Sequence, residues 1–271
     1  MDTISVIIPT WNREGSIGKA VRSALDQTLP PIEILVCDDG SSDATAQIVN
    51  AIDDRRVKWL PGMRGGRPAI PRNRGLHESR GDWIAFLDDD DEWLPGKLAA
   101  QIDLAKKKNC LASCSNAFSG IYNSEPSLYN LGWSGETLTF YDLLYGNRVI
   151  CSSALIHSSL SREVQGFPES PALVAVEDYA FWLRVAAITN FAFVKEPLVR
   201  YSDSPGTSIR AKNDDPWSMK RKVILNFLVW GCRTKINLDY LKPAFQNYCV
   251  AMMISAKNEL ADIKNRAFHS Q

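Results

Sequence analysis

An apolar run that ends abruptly in four consecutive aspartates constrains this chain more than any other feature. Residues 83–87 read Trp-Ile-Ala-Phe-Leu, which is typical of a buried strand, and Asp88 to Asp91 follow directly. Adjacent carboxylates repel one another, so the arrangement is unfavourable unless positive charge lies at the strand end. A hard divalent cation takes oxygen ligands and commonly holds substrate phosphates. The run therefore predicts a metal-assisted site for a phosphorylated substrate.

Composition excludes several classes of protein. The chain has 271 residues, 45% of them hydrophobic, which is enough for a sizeable core and argues against disorder. Lys plus Arg equal Asp plus Glu at 31 each, so we expect no nucleic-acid partner. We expect no signal peptide. We also expect no membrane span, because the apolar segment over 223–230 is too short to cross a bilayer. Six cysteines without C-x-x-C pairs indicate reduced thiols in a cytoplasmic protein.

Strand and helix signals alternate over the first hundred residues. Strands are predicted over 5–9, 32–37, 57–60 and 83–87, and helices over 17–25, 43–52, 71–79 and from Pro95 onward. This order predicts a mostly parallel α/β sheet with helices on both faces. Such sheets bind ligands beyond the carboxyl ends of their strands. We therefore expect the polar segments 10–13, 38–43 and 88–91 to meet at one rim.

The remainder of the chain has a looser pattern. Strands are predicted over 111–117 and 151–156, and a helix over 176–187. From residue 212 onward the sequence is helical and basic, with ten Lys or Arg against five Asp or Glu. This segment favours either contact with an anionic membrane surface or packing against the rest of the chain or a second copy.

Other phosphate and metal motifs do not match. A calcium loop of the EF-hand type that starts at Asp88 needs glycine where Trp93 stands. The chain has no ATPase loop, and no dinucleotide fingerprint follows the first strand. A haloacid-dehalogenase-type phosphatase is the nearest alternative, but Glu92 stands where its D-x-D-x-[TV] motif requires Thr or Val.

Five blocks in order closely resemble glycosyltransferase family 2. The blocks are SVIIPTWNR (5–13), VCDDGSSD (36–43), PRNRGL (71–76), FLDDDDEWLPGKL (86–98) and EDYAFWLR (177–184). The resemblance spans residues 3–205 and implies a GT-A fold, a nucleotide-diphosphate sugar donor, Mn²⁺ or Mg²⁺, and inversion at the anomeric carbon. It implies a catalytic domain over 1–210, with a nucleotide-sugar half (1–110) and an acceptor half (111–210), followed by a helical C-terminal extension (211–271).

The resemblance also implies roles for individual residues. Those expected to bind the nucleotide are Thr10, Asn12, Arg13, Asp38, Asp39, Arg72, and either Asp88 or Asp89 on the ribose. Asp88 and Asp90 resemble the two ends of the D-x-D motif, and we expect Asp90 to be the direct metal ligand. Asp178 matches the family's base, and its predicted place near a helix N-terminus favours the carboxylate. Glu177 is expected to position the acceptor.

The expected function is inverting transfer of a hexose or N-acetylhexosamine from a UDP-sugar to a saccharide acceptor. A lipid-linked acceptor in bacterial surface polysaccharide assembly fits best, with the enzyme in the cytoplasm or peripheral at the inner face of the membrane. A metal-dependent phosphatase or pyrophosphatase, and an inactive nucleotide-sugar-binding module, are the alternatives. Arg64 and Arg67 face either diphosphate or solvent. The segment 202–215 is expected to close over the donor as a lid.

Overall fold

The computed structural model describes residues 2–119, 127–130, 132–202 and 215–268, the side chains of Ser127 and of 259–268 excepted. The predicted lid lies almost wholly outside these residues. Strands and helices alternate in the first part of the chain as expected. They are β1 (Ile4–Thr10), α1 (Ile17–Leu25), β2 (Glu33–Asp38), α2 (Thr45–Asn50), β3 (Val57–Leu60), α3 (Ala69–Glu78) and β4 (Trp83–Phe86). The strands pair in the order β3-β2-β1-β4, and every pair is parallel, which confirms the prediction.

The second part of the chain extends the same sheet with mixed pairing. Its elements are β5 (Glu92–Trp93), α4 (Lys97–Lys107), β6 (Ala112–Ser119), β7 (Ser127–Leu128), β8 (Thr137–Leu138), α5 (Phe140–Tyr145), β9 (Leu155–His157), α6 (Ser158–Glu163), α7 (Glu177–Ala186) and β10 (Phe191–Tyr201). Beyond β4 the sheet continues as β9-β6-β10-β5. The pair β6–β10 is parallel, whereas β9 runs antiparallel to both of its neighbours.

One predicted strand is shorter than expected. The sequence predicts a strand over 151–156, but residues 151–153 form a 3-10 turn and β9 begins only at Leu155. The carbonyls of Ser152 and Ser153 accept hydrogen bonds from the side chains of Trp93 and Gln101, and the Ser152 hydroxyl accepts the backbone N–H of Asp88. Those hydrogen bonds take the segment out of the sheet.

The central strands are buried on both faces, as parallel strands between two helical layers must be. Every residue of β1, β2 and β4 is buried. Alternate side chains enter two different cores: Ile7 and Phe86 pack on one face, and Ile8 and Ala85 on the other. The continuous apolar runs of the sequence therefore reflect two-sided burial.

Two helices complete the described chain, as predicted for its basic C-terminal part. They are α8 (Pro216–Thr234) and α9 (Leu238–Phe268). The buried face of α8, with Phe227 and Trp230, joins the same core as Phe86 and Trp182. The proposed boundary at residue 210 lies outside the described residues, and the domain division stays a prediction. Within the described residues, no helix is both long and apolar enough to cross a membrane.

Candidate active site

A cavity of about 210 Å³ lies at the carboxyl ends of the parallel strands, where the sequence predicts the site. Of the predicted site residues, it is lined by Thr10, Arg13, Asp39, Arg72, Asp88, Asp89, Asp90, Glu177 and Asp178. Its other lining residues include Trp11, Arg64, Arg67, Ala175 and Ser202. The parallel register brings the strand ends together, since Thr10 pairs with Asp38 and Ile7 pairs with Phe86. Segments from all five blocks of the sequence thus converge.

Two predicted nucleotide residues, Asn12 and Asp38, do not line the cavity. The Asp38 carboxylate accepts hydrogen bonds from the N–H groups of Gly40 (3.0 Å) and Ser41 (2.9 Å). Asn12 Oδ1 accepts the Ser42 N–H (2.8 Å), and Asn12 has a left-handed φ of 50°. Both side chains therefore shape the loops that carry the lining residues. Their direct contact with a nucleoside stays a prediction.

Asp39 marks one end of the cavity. It is 3% exposed, and its carboxylate accepts the backbone N–H groups of Gly65 (2.7 Å) and Gly66 (2.9 Å). The Arg64 guanidinium also pairs with Asp39, and its Cζ lies 3.7 Å from the ring centroid of Trp11. A buried carboxylate beside an exposed indole face suits a planar ligand with N–H donors.

The aspartate run forms a loop at the other side of the cavity. Arg72 Nη2 lies 2.7 Å from Asp88 Oδ1, and Arg13 Nε lies 3.1 Å from Asp89 Oδ1. Asp90 is farther from its partner, with 3.7 Å between its Oδ2 and Arg13 Nη2. Two guanidinium groups therefore face the first three carboxylates of the run.

Asp91 points away from the cavity. It is 1% exposed, its carboxylate accepts a hydrogen bond from the Ser152 hydroxyl, and it also accepts the Ser202 N–H at 2.7 Å. The Ser152 oxygen in turn accepts the N–H of Asp88 at 2.9 Å. Asp91 thus ties the aspartate loop to the end of β10. Ser152 escaped the sequence prediction because an isolated serine carries no signal.

Negative charge in the aspartate loop is only partly offset. Burial raises the pKa of Asp89 to about 7, although the charge of Arg13 opposes the shift. Burial, and after it the charge of Asp88, raises the pKa of Asp90. These raised pKa values indicate that a further positive charge beside the loop would stabilise its carboxylates.

The donor set fits a divalent cation that binds together with a nucleotide. Among the described residues, no three His, Cys, Asp or Glu side chains form a ready-made metal cage. Mg²⁺ in nucleotide sites characteristically takes one or two carboxylates together with substrate phosphate oxygens. The Asp88 and Asp90 side chains are 28% and 30% exposed and present hard oxygen atoms to the cavity.

The N-terminus of α7 forms a second wall of the cavity. Glu177 and Asp178 begin this helix, as predicted, and they are 4% and 6% exposed. Asp178 Oδ1 accepts the Tyr179 N–H at 2.7 Å. Ala175, two residues before the helix, adopts a left-handed φ of 71° at the cavity wall.

Arg72 joins the two sides of the cavity. Its Nη1 donates to Glu177 Oε1 and its Nη2 to Asp88 Oδ1, both at 2.7 Å. Burial lowers the pKa of the Arg72 guanidinium, but the neighbouring carboxylates more than compensate and raise it well above its usual value. Burial raises the pKa of Glu177, against the charge of Arg72. The sequence places Arg72 beside the nucleotide and gives no sign of this bridge.

Two further arginines of the same loop and helix have different surroundings. Arg74 donates to the backbone carbonyls of Leu60 (2.8 Å) and Asp38 (2.7 Å), so it braces two strand ends. Arg67 lines the cavity, and its buried Nε has no hydrogen-bond partner among the described residues. Arg67 is therefore placed to meet a ligand anion.

The family model described as Glycosyl transferase family 2 matches residues 5–159. This chain belongs to glycosyltransferase family 2. A relative from Escherichia coli is 33% identical over 192 residues, which cover 68% of this chain and 70% of the relative. It is named UDP-Glc:alpha-D-GlcNAc-diphosphoundecaprenol beta-1,3-glucosyltransferase WfaP. A Bacillus subtilis relative, a putative teichuronic acid biosynthesis glycosyltransferase named TuaG, is 30% identical over 182 residues, covering 66% of this chain and 70% of the relative.

Solved structures confirm the fold of this family 2 enzyme. Staphylococcus aureus TarS 1–349 in complex with UDP-GlcNAc superposes with a TM-score of 0.73 at 19% identity, covering 92% of this chain and 71% of TarS. A mannosyltransferase from Pyrobaculum calidifontis in complex with GDP-Man and Mn²⁺ gives 0.60 at 16% identity, covering 98% and 79%. The predicted GT-A fold is therefore confirmed. Family membership supports a glycosyltransferase over the phosphatase and the inactive binding module.

Proposed function

We propose that this enzyme transfers glucose or a related hexose from a UDP-sugar to a lipid-linked saccharide with inversion. The observation that carries the proposal is one cavity with Asp88–Asp90 on one wall and Asp178 on the other. A displacement needs these two functions on opposite faces of the sugar: stabilisation of the leaving diphosphate and removal of a proton from the acceptor. Named relatives that use UDP-Glc and a diphosphoundecaprenol acceptor support the choice of substrates.

The proposed reaction is a single displacement. The acceptor hydroxyl oxygen forms a bond to the anomeric carbon while the bond from that carbon to the β-phosphate oxygen breaks. The hydroxyl proton passes to the Asp178 carboxylate, and the electron pair leaves with UDP. Asp178 supplies the base because its carboxylate lines the cavity at the N-terminus of α7, where it can reach an acceptor hydroxyl.

We propose that Asp88 and Asp90 hold Mn²⁺ or Mg²⁺ with the donor diphosphate. When bound, the ion offsets the negative charge that develops on the leaving group. Arg67 faces the same space and adds a second positive group. Arg72 keeps Asp88 and Glu177 at a fixed separation, and Glu177 Oε2, which has no partner among the described residues, is available to an acceptor hydroxyl.

The test is a transfer assay with defined substrates. The full-length protein is incubated with UDP-Glc and a synthetic GlcNAc-diphospholipid, with Mn²⁺ or with EDTA. The expected result is a disaccharide lipid with a β linkage by NMR, formed only with metal. Other UDP-hexoses and UDP-N-acetylhexosamines form the comparison panel. Release of phosphate from simple phosphomonoesters without transfer from any donor would contradict the proposal.

We also propose that the α8–α9 hairpin contacts an anionic membrane surface, where a lipid-linked acceptor resides. Its described side chains include seven Lys or Arg against one acidic residue, Asp239. Among them it exposes seven large hydrophobic residues: Leu225, Val229, Leu238, Phe245, Val250, Met252 and Met253. Apolar side chains flanked by basic ones suit binding at the headgroup region.

Vesicle co-sedimentation tests the hairpin. The full-length protein is expected to sediment with phosphatidylglycerol vesicles, and the double variant Phe245→Glu, Met253→Glu is expected to stay in solution. Ile32→Glu, an equally simple change at an exposed residue before β2, is the control. No sedimentation of the wild type would contradict the proposal. If the wild type is a dimer and the double variant is a monomer, the result would indicate that the hairpin packs against a second copy of the chain instead.

A further inference from the structure

The nucleoside end of the cavity is occupied by a side chain of the protein itself. Asp39 presents a buried carboxylate there, and Trp11, 44% exposed, presents a ring face. A nucleobase with a ring N–H suits this pair, because it stacks on the indole while it donates to the carboxylate. Arg64 makes both contacts: its guanidinium pairs with Asp39 and lies over Trp11 with 3.7 Å from Cζ to the ring centroid.

We propose that Arg64 is an internal stand-in for the donor base and must leave this position when the nucleotide sugar binds. The inference rests on the proposed UDP-sugar donor. A guanidinium group is planar and carries N–H donors in its plane, so it reproduces the shape and the hydrogen-bonding pattern of a base edge. Arg64 and a base cannot occupy the same face of Trp11 together.

The loop is built so that Arg64 can leave without disturbing the subsite. The Asp39 carboxylate keeps the N–H groups of Gly65 and Gly66 at 2.7 and 2.9 Å, and these bonds do not involve the Arg64 side chain. Gly40 has a left-handed φ of 79°, and a Cβ there would lie 2.8 Å from Arg64 N, so the two loops approach closely through their backbones. The Arg64 side chain is 43% exposed, so solvent can take up its guanidinium group when it leaves Asp39.

The consequence is a donor affinity set by competition. When only a fraction of the protein molecules is in the binding-competent conformation, the apparent affinity for the ligand is reduced by that fraction. Arg64 therefore reduces affinity for a nucleotide, while a ligand that lacks a base is not affected. The base of CDP has no ring N–H to donate to Asp39, so it gains less than the base of UDP when it displaces Arg64. Asp39 therefore favours UDP over CDP.

Calorimetric titration in the presence of Mn²⁺ tests the role of Arg64. The wild type and Arg64→Ala are each titrated with UDP and with inorganic pyrophosphate, and Arg56→Ala, on an outer loop, is the matched control. The readout is the ratio of the association constants for UDP and pyrophosphate, which cancels the general loss of one positive charge. Arg64→Ala is expected to raise this ratio about fivefold, the size expected for one half-exposed ion pair with a cation–π contact. Arg56→Ala leaves the ratio unchanged.

The possible results separate this inference from the function on which it rests. An unchanged or lowered ratio in Arg64→Ala would overturn it, because Arg64 would then be a ligand or a bystander. Equal tightening of both ligands would also overturn it, since the base subsite would not be involved. If neither protein binds UDP, the proposed donor itself is wrong. A thermal melt of each variant without ligand confirms that both are folded.

Discussion

The two walls of the cavity carry carboxylates on different kinds of support. The aspartate loop rests on a buried polar network, whereas the N-terminus of α7 rests on an aromatic cluster. A polar network responds to charge and protonation, because each hydrogen bond depends on the state of its partners. An aromatic cluster responds mainly to loss of volume. The comparison indicates that the aspartate loop can adjust to a charged ligand while the N-terminus of α7 stays fixed.

The polar network runs from the loop into the protein interior. The Trp93 indole N–H donates to the Ser152 carbonyl at 2.7 Å, and the Gln101 amide donates to the Ser153 carbonyl at 2.8 Å. Lys97 is fully buried, donates to Gln101 Oε1 at 2.7 Å, and lies 4.1 Å over the Trp93 ring. A buried lysine therefore belongs to the network that reaches Ser153 through Gln101.

The aromatic cluster packs mainly through ring contacts. Phe167 and Phe181 stack with their ring centroids 4.1 Å apart, and Trp182 meets Phe86 edge-on at 5.6 Å. The Arg72 guanidinium lies 5.5 Å above the Phe167 ring. All ten residues of α7 are buried, so this helix is fixed along its whole length.

The largest expected effect is on the aromatic side. Phe181→Ala removes a completely buried ring and is expected to lower the free energy of unfolding by about 4 kcal/mol, independently of pH. Denaturant unfolding at pH 6 and pH 9 measures this change. Phe245→Ala, at an exposed position in α9, is the control and should cost far less. A strong pH dependence of the Phe181→Ala effect would break the comparison.

The polar side is expected to show the pH dependence. Burial lowers the pKa of Lys97 from 10.5 to about 7. Between about pH 7 and pH 10 the unfolded chain binds a proton that the folded chain does not, so stability rises with pH in this window. Below about pH 7 both states carry the proton, and the full cost of burying the charge is present. The total rise is on the order of 3 kcal/mol.

Lys97→Met isolates that contribution, because it removes the charge and keeps the length of the side chain. The difference in unfolding free energy between the wild type and Lys97→Met should shrink or reverse as pH rises from 7 to 10. Titration of other groups cancels in the difference. A difference that is constant over this range would show that burial does not lower the pKa of Lys97.

The bridge between the two walls should affect transfer. Arg72→Lys keeps a positive charge, but one ammonium group cannot hold Asp88 and Glu177 together as a planar guanidinium does. Transfer is expected to fall about 100-fold, as expected when reacting groups are displaced by about an ångström. Steady-state kinetics measure the loss, and Arg80→Lys, at an exposed arginine paired with the buried Glu33, is the control. Equal rates for both variants would remove the bridge from the account.

The smallest effect is expected at Asp91. Asp91→Asn leaves one acceptor oxygen for two donors, the Ser152 hydroxyl and the Ser202 N–H. The aspartate loop should then lose its fixed position, and the Kd for UDP with Mn²⁺ should rise about tenfold. Ser152→Ala removes a hydrogen bond of the same network and should raise the Kd for UDP to a similar extent. Two variants with unchanged Kd values would show that the network does not position the loop.

Most of the fold could be predicted from the sequence because local signals and burial agree there. The strands β1 to β4 are short apolar runs between turn residues, and their parallel order follows from the intervening helices. The register then places Thr10, Asp39 and Asp88 at one rim without further information. Block-by-block resemblance adds Glu177 and Asp178, which lie far along the chain.

The details that the sequence does not predict depend on side chains meeting across the fold. The sequence shows an arginine at position 72, but it does not show whether the side chain faces a phosphate or joins two carboxylates. Its neighbours in the folded structure determine which contacts it makes. Ser152 and the turn at 151–153 depend on hydrogen bonds to a loop sixty residues away in sequence. Asp38 and Asp39 are adjacent and alike in sequence, but only Asp39 lines the cavity.

The central claim is that the two walls divide the work, with donor and metal on one and the base on the other. Asp178→Asn and Asp90→Asn, assayed side by side for Mn²⁺-dependent UDP binding and for transfer from UDP-Glc, test it most directly. We expect Asp178→Asn to bind UDP as the wild type does and to lose transfer by about 1000-fold, whereas Asp90→Asn loses both. Transfer by Asp178→Asn at the wild-type rate would contradict the account.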